Sequence, residues 1–206
     1  MTWRGIVGKS FTSIDDFSAY VDTVQFNLWR PKFVVVHNTS APDLATYAKW
    51  QARGNPSDEQ WALNLQGYYR DQMGWSAGPH LFVTPRSIIA FTPLNVPGTH
   101  TPSWNSISWG VETVGEFETE PFVGTPSHAM LVGALGVLHM KAGLSPTPYL
   151  LGQHGLHFHK EDPRTTHTSC PGRKMSKPDV LIDLLTWIAD RSKGDHAKPE
   201  PPPLVA

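Results

Sequence analysis

The chain has 206 residues, a formal net charge of -1 and 39% hydrophobic residues, a balance that suits one folded domain with its own core and offers no basic face for nucleic acid. Its single cysteine, Cys170, excludes an intramolecular disulfide. Residues 1–20 hold no apolar run of signal-peptide length and carry Asp15 and Asp16, and no stretch reaches the roughly 18 apolar residues of a membrane span, so synthesis as a soluble cytoplasmic protein is expected.

Residues 32–37 (KFVVVH) form an apolar β-branched run, the pattern of a buried strand, ending on His37 before the polar turn NTSAPD. A helix is predicted over 43–53, stopped by Gly54-Asn55-Pro56. Ser57 and Gln60 make a capping-box pair that opens a helix over 57–72, with Trp61, Leu65 and Tyr68 at helical spacing. Residues 80–84 and 87–91 read as short strands joined at Pro85-Arg86; after a Pro/Gly/Thr-rich loop, 107–114 (ISWGVETV) reads as another. A helix near 127–142 carries an apolar stripe of Met130, Leu131, Ala134, Leu135 and Leu138. A strand is expected within 149–159, followed by a Thr-rich loop bearing Cys170-Pro171-Gly172. The last helix is predicted over 178–191, with Pro178 in its first turn and Leu181, Leu184, Leu185 and Ile188 as its face. Residues 193–206 are Pro-rich and read as a disordered tail behind one domain of 1–192. Strands alternating with helices imply an α/β fold, a sheet flanked by helices.

Several residues carry chemistry. His154, His157, His159 and His167 crowd the stretch upstream of Cys170. Catalytic zinc takes three His, Cys or carboxylate ligands and keeps a fourth position open. Taken singly, His37 reads equally as a hydrogen-bonded strand-end residue, and Cys170 as a small buried hydrophobe. Together with the histidine cluster they point to a soft-ligand site. A thiol nucleophile with a histidine partner is the rival chemistry, although Pro171-Gly172 supplies a turn where such a thiol gains from a helix N-terminus. Glu112 lies on the opposite strand face from Val111, among apolar and aromatic neighbours; it reads as a solvent-facing edge residue or as a general base.

Four stretches in order, FVVVHNTSAP, GWSAGPHLFVTPRSIIAF, GTHTPSWNSISWGVETVGEF and FHKED…TTHTSCPG, resemble the zinc N-acetylmuramoyl-L-alanine amidases, whose fold is shared with phage amidase-type lysozymes and peptidoglycan recognition proteins. The resemblance covers roughly residues 30–190. It implies a central mixed sheet flanked by helices, a zinc site in a surface groove, one Zn2+ per chain, peptidoglycan as partner, and hydrolysis of the amide between N-acetylmuramic acid and L-alanine. It implies His37 and Cys170 as ligands, with a second histidine opening an H-x-[DE] motif. His159-Lys160-Glu161 matches that motif; His157 and His167 are the rivals.

By the same resemblance Glu112 is catalytic. Thr168 stands beside the developing oxyanion or the attacking water, or else caps a turn, and His100 and Asn105 line the substrate groove. Trp75, Trp104 and Trp109 stack on sugar, line the groove or plug the core. His139 and His154 are expected in structural roles, His128 and His196 in solvent. The sequence departs from the family pattern at Pro79, where many relatives carry an active-site tyrosine, and in the insertion KEDPRTTHTS before Cys170. The expected setting is a phage endolysin that reaches the wall at host lysis. The alternatives are a cytoplasmic recycling amidase on wall fragments, a Cys-His wall peptidase and a non-catalytic peptidoglycan-binding module.

Overall fold

The computed structural model describes residues 2–147 and 155–196, without the side chains of 194–196. In chain order the elements are β1 (Lys9–Phe11), α1 (Ile14–Asp22), β2 (Phe33–Asn38), α2 (Leu44–Arg53), α3 (Asp58–Asp71), β3 (Leu81–Val83), β4 (Ile88–Ala90), β5 (Ser108–Thr113), α4 (Pro126–Ala142), β6 (Leu156–Phe158), a 3-10 turn over His159–Glu161, and α5 (Lys177–His196). The strands form one mixed sheet in the order β1-β4-β3-β5-β2-β6. β3, β5, β2 and β6 run parallel, while the β3–β4 hairpin and β1 add antiparallel pairs.

Local chemistry sets the helix starts. Ser13, Asp43, Ser57 and Thr125 each accept a hydrogen bond from the N–H three residues on, which satisfies one of the free donors of a first turn. At Ser57 the expected capping box is half made, because the Gln60 amide turns to Asn64 instead.

Strand alternation divides the sheet into two faces. Val34 and Val36 of β2, Trp109 and Val111 of β5, Leu81 and Val83 of β3, and Leu156 and Phe158 of β6 point to one side, where α1, α4 and α5 close the larger core. Phe82, Ile89 and Val114 meet Tyr47 and Trp61 of α2 and α3 in a smaller core on the other. His37 and Glu112 belong to that second side.

The structure adds and corrects. β1 and α1 were not expected; three residues are too few to show alternation, but Ser13 with Asp16 is a readable capping pair. On α3 the packed tyrosine is Tyr69, eight residues from Trp61, while Tyr68 is 52% exposed. On α5 the buried face is Val180 and Leu184 with Leu181, Trp187 and Ile188 packed beside them, and Leu185 faces outward. α4 is buried nearly all round and has no single stripe. His128, expected in solvent, is buried against Phe122 with Nε2 3.3 Å from the Asp183 carboxylate. Trp109 is a core residue and its indole N–H donates to Leu94 O. The expected strand within 149–159 is β6 in its described part; His154 and the 197–206 part of the tail lie outside the described residues. Among the described residues no helix is long and apolar enough to cross a membrane.

Candidate metal centre

β2 and β5 are parallel and in register, with His37 opposite Glu112. Both side chains therefore leave the same face, at the C-terminal end of the strands. β6 continues the arrangement on the other side of β2, pairing Phe158 with Val36. There the chain leaves the strand for the 3-10 turn, and His159 swings over the strand end until its ring lies 4.4 Å from that of His37.

Cys170 arrives on the following loop. That loop is pinned to the turn by Lys160 N–H donating to Cys170 O at 3.0 Å, and to the segment after β5 by Lys174 N–H donating to Phe117 O at 2.9 Å. Gly172 has φ +100°, and a Cβ there would lie 2.3 Å from the Phe117 carbonyl carbon, so the loop reaches its seat through a glycine. Among the described residues His37, His159 and Cys170 form a potential metal-binding triad, their ligand atoms within 4.8 Å of one another.

The protonation states suit a cation. Burial pulls His37 well below 6.5, and the neighbouring His100, His159 and His167 add to the shift. Burial and then His167 bring His159 down to about 4. Both rings are thus neutral lone-pair donors at neutral pH, the state a metal ligand requires. Burial, and then the charge of Glu112, push the Cys170 thiol up to about 12. A thiol held this high does not ionise unaided at neutral pH, so the sulfur needs a neighbouring cation to become a thiolate. Two neutral imidazoles and a thiol gathered on one spot are a donor set that fits zinc.

Glu112 completes the cluster. Its Oε1 lies 3.8 Å from His37 Nδ1, and its side chain is 15% exposed. Burial pushes its carboxyl up to about 8. The other nearby carboxylates are already engaged. Burial alone would raise Glu161, but hydrogen bonds from His157, Lys177 and the Phe158 N–H outweigh it and hold the group at about 2. Asp162 accepts from the N–H groups of Ser103 and Arg164.

The rival histidines are placed differently. His157 stays on the strand, packed against Phe33 and Trp104, with Nδ1 3.1 Å from Glu161. His167 is exposed and stacks on His159 at 5.0 Å, outside the ligand triad. Thr168 is exposed in the turn before Cys170. A hydroxyl that does touch a ring of the potential triad is that of Thr165, 2.9 Å from His159 Nε2.

A cleft of about 410 Å³ opens beside the triad, walled by Trp75, His100, Asn105, His159, Arg164 and Thr165 among others. The insertion forms one wall and is tied to the opposite loop, with Arg164 donating to Ser103 Oγ at 3.0 Å. Asn105 shapes the other wall: its Oδ1 accepts from the N–H groups of His100 and Thr101 at 2.6 and 2.8 Å. A cavity of about 440 Å³ lined by Ser18, Asp22, Lys141, Trp187 and Arg191 lies among α1, α4 and α5, across the sheet from this chemistry.

Tyr69, which the sequence reading does not single out, packs near Glu112. Its ring lies 4.9 Å from Trp75. A Cβ on Gly78 would come within 3.1 Å of its Cε2, so the phenol stands beside the position where relatives carry tyrosine and this chain carries Pro79. Its pKa is raised by burial and then by the charge of Glu112. The Trp61, Leu65, Tyr69 spacing was the available signal.

A family model described as N-acetylmuramoyl-L-alanine amidase matches residues 28–173. Peptidoglycan-recognition protein SC2 of Drosophila simulans is 24% identical over 184 residues, covering 87% of this chain and 81% of that protein. The fold is similar to that of the endolysin N-acetylmuramoyl-L-alanine amidase LysCS from Clostridium intestinale, with a TM-score of 0.57 and 20% identity over 90% of this chain and 91% of that one. It is also similar to the Ph2119 endolysin from the Thermus scotoductus bacteriophage Ph2119, with a TM-score of 0.54 and 20% identity over 78% and 88%.

Proposed function

The chain belongs to the N-acetylmuramoyl-L-alanine amidase family, and on that premise we propose that it hydrolyses the amide between N-acetylmuramic acid and L-alanine in bacterial peptidoglycan, with one zinc ion held by His37, His159 and Cys170. The observation that carries this reading is the meeting of those three donors with Glu112, a half-buried carboxyl beside the His37 ring. Bound zinc supplies Lewis-acid chemistry, acidifying a water and polarising a carbonyl.

The remaining work falls to the side chains. Glu112 takes the proton of the attacking water and returns it to the departing nitrogen. The water oxygen bonds to the lactyl carbonyl carbon, the C–N bond breaks, and L-alanine leaves with a free amino group. Burial of the carboxyl favours its protonated form, which suits the return of the proton in the second half; a cation beside it would favour the ionised form needed in the first. Thr168 is assigned a hydrogen bond to charge developing on the carbonyl oxygen. The cleft beside His100 and Asn105 receives the glycopeptide. The setting we propose is that of an endolysin, made in the cytoplasm and reaching the wall at lysis; the likeness to two endolysins supports it.

The test is the product. Mass spectrometry of digested peptidoglycan should find new L-alanine amino termini and intact glycan strands. Cut glycan or cut cross-bridges would overturn the amidase reading, and zinc-loaded protein that binds walls without releasing product would make it a binding module.

A further inference from the structure

We infer that His100 is a positioning residue that sets the tautomer of His37, so that His37 offers Nδ1 to the metal; this rests on the zinc reading above. A neutral imidazole has one N–H and one lone pair, and the partner of the N–H decides which nitrogen is left to ligate.

The chain of partners can be followed from its far end. The hydroxyl of Ser108 donates to Trp104 O at 2.8 Å, so its hydrogen is already used. His100 Nε2 lies 3.3 Å from Ser108 O and 3.4 Å from Ser108 Oγ. Both neighbours then face Nε2 as acceptors, so that nitrogen carries the hydrogen of the neutral ring. His100 Nδ1 is left with the lone pair, and it lies 3.1 Å from His37 Nε2. His37 Nε2 therefore carries the hydrogen and donates it, and His37 Nδ1 holds the free pair on the side of Glu112.

The backbone holds His100 in this pose. Its N–H is bound by Asn105 Oδ1. Its ring lies against Gly110 so closely that a Cβ there would stand 2.4 Å from His100 Cγ. The two rings meet nearly perpendicular, at 87°, as an in-plane N–H aimed at an in-plane lone pair allows. His159 has no equivalent lock, because the Thr165 hydroxyl beside its Nε2 can either give or accept a hydrogen bond.

The experiment measures zinc affinity of the full chain by competition with a chromogenic chelator, for wild type, Cys170→Ala, His100→Phe and His100→Asn. Loss of an outer partner typically weakens metal binding by about 10- to 100-fold, and that is expected for His100→Phe. His100→Asn, whose amide oxygen can stand near the place of Nδ1, should recover most of the loss. A wild type that binds no more zinc than Cys170→Ala defeats the metal reading itself. A wild type that binds zinc alongside an equally tight His100→Phe overturns the inference, as does equal weakening in the Phe and Asn variants. Two-bond 15N–1H correlation spectra of folded, metal-free wild type test it without any substitution: His37 and His100 should both show the Nε2–H pattern, and an Nδ1–H pattern at either overturns it.

Discussion

His37 and Glu112 are register partners on the adjacent parallel strands β2 and β5, with His37 Nδ1 and Glu112 Oε1 3.8 Å apart. Because successive side chains alternate between the faces of a strand, neither can turn to the other face without a register slip that breaks the ladder between them. With the His37 ring neutral the contact is no ion pair, and the carboxyl stands beside a ring of the potential metal triad with a proton affinity raised for glutamate.

Replacing that carboxyl separates chemistry from metal binding. Glu112→Gln should keep the fold and about one zinc per chain while turnover falls roughly 100-fold or more, the usual scale for a lost general base. Zinc content and release of L-alanine amino termini are measured on the same preparation. Wild-type turnover would return Glu112 to a structural role, and Glu161 and Asp162 are poor substitutes because both are tied up in hydrogen bonds.

The ligand set can be tested residue by residue. His37→Ala, His159→Ala and Cys170→Ala should each lose zinc and activity, since each removes one of three donors in the triad. His157→Ala and His167→Ala should retain most of the metal. Elemental analysis after dialysis decides; metal loss from His167→Ala with retention in His159→Ala would show that the ring stacked on His159 is the true ligand. Chelation should abolish wild-type activity and added zinc should restore it.

The metal-free protein should show opposed pH limits. A carboxyl whose folded pKa is raised contributes stability that is present below its ordinary value of 4.5 and is lost as pH rises towards about 8; this is Glu112. Buried histidines work the other way. His80 and His159, held at about 4, and His100, at about 3, contribute stability present above 6.5 and lost as pH falls. Between pH 6.5 and 8 these histidines are neutral in the folded protein, and their contribution is common to wild type and Glu112→Gln, so the difference between the two isolates Glu112. Denaturant unfolding should show wild type losing up to about 1 kcal/mol per pH unit relative to Glu112→Gln over that window. Parallel curves for the two proteins would mean that the carboxyl is not raised.

The Cys170 loop depends on a residue with no ligand role. Gly172→Ala meets both a left-handed backbone and the carbonyl of Phe117, a rigid neighbour. A loss of at least about 2 kcal/mol is expected, with zinc affinity falling because the loop can no longer seat the thiol. Calorimetry and zinc titration check it; an unchanged melting temperature would mean that the loop has another way to its seat.

Much of this was legible before any coordinates. The runs FVVVH and SWGVET announce β2 and β5 through β-branched and aromatic residues, and they carry His37 and Glu112 as the next-to-last residues of the two strands. Their pairing was not legible, because register belongs to the sheet rather than to either strand. The choice among His157, His159 and His167 was equally hidden. The period of a strand puts 157 and 159 on one face, and it is the 3-10 turn beginning at His159 that lifts this ring over the strand end and leaves His157 below, between Phe33 and Trp104. The resemblance implies Asn105 as a groove-lining residue; it lines the cleft, and what the sequence does not show is that its side-chain oxygen accepts from two backbone N–H groups there.

The strand that sequence reading overlooked has a practical bearing. β1 occupies the outer edge of the sheet, pairing Lys9, Ser10 and Phe11 with Ala90, Ile89 and Ile88 of β4. The family match begins at residue 28, after both β1 and α1. A chain trimmed to that boundary would keep His37, Glu112, His159 and Cys170, but it would leave β4 with unpaired backbone donors and acceptors along a wholly apolar segment, ready to pair with another molecule. Such a trimmed chain is expected to precipitate or self-associate while keeping all four of those residues, which would make the first twenty-odd residues a guard on colloidal behaviour.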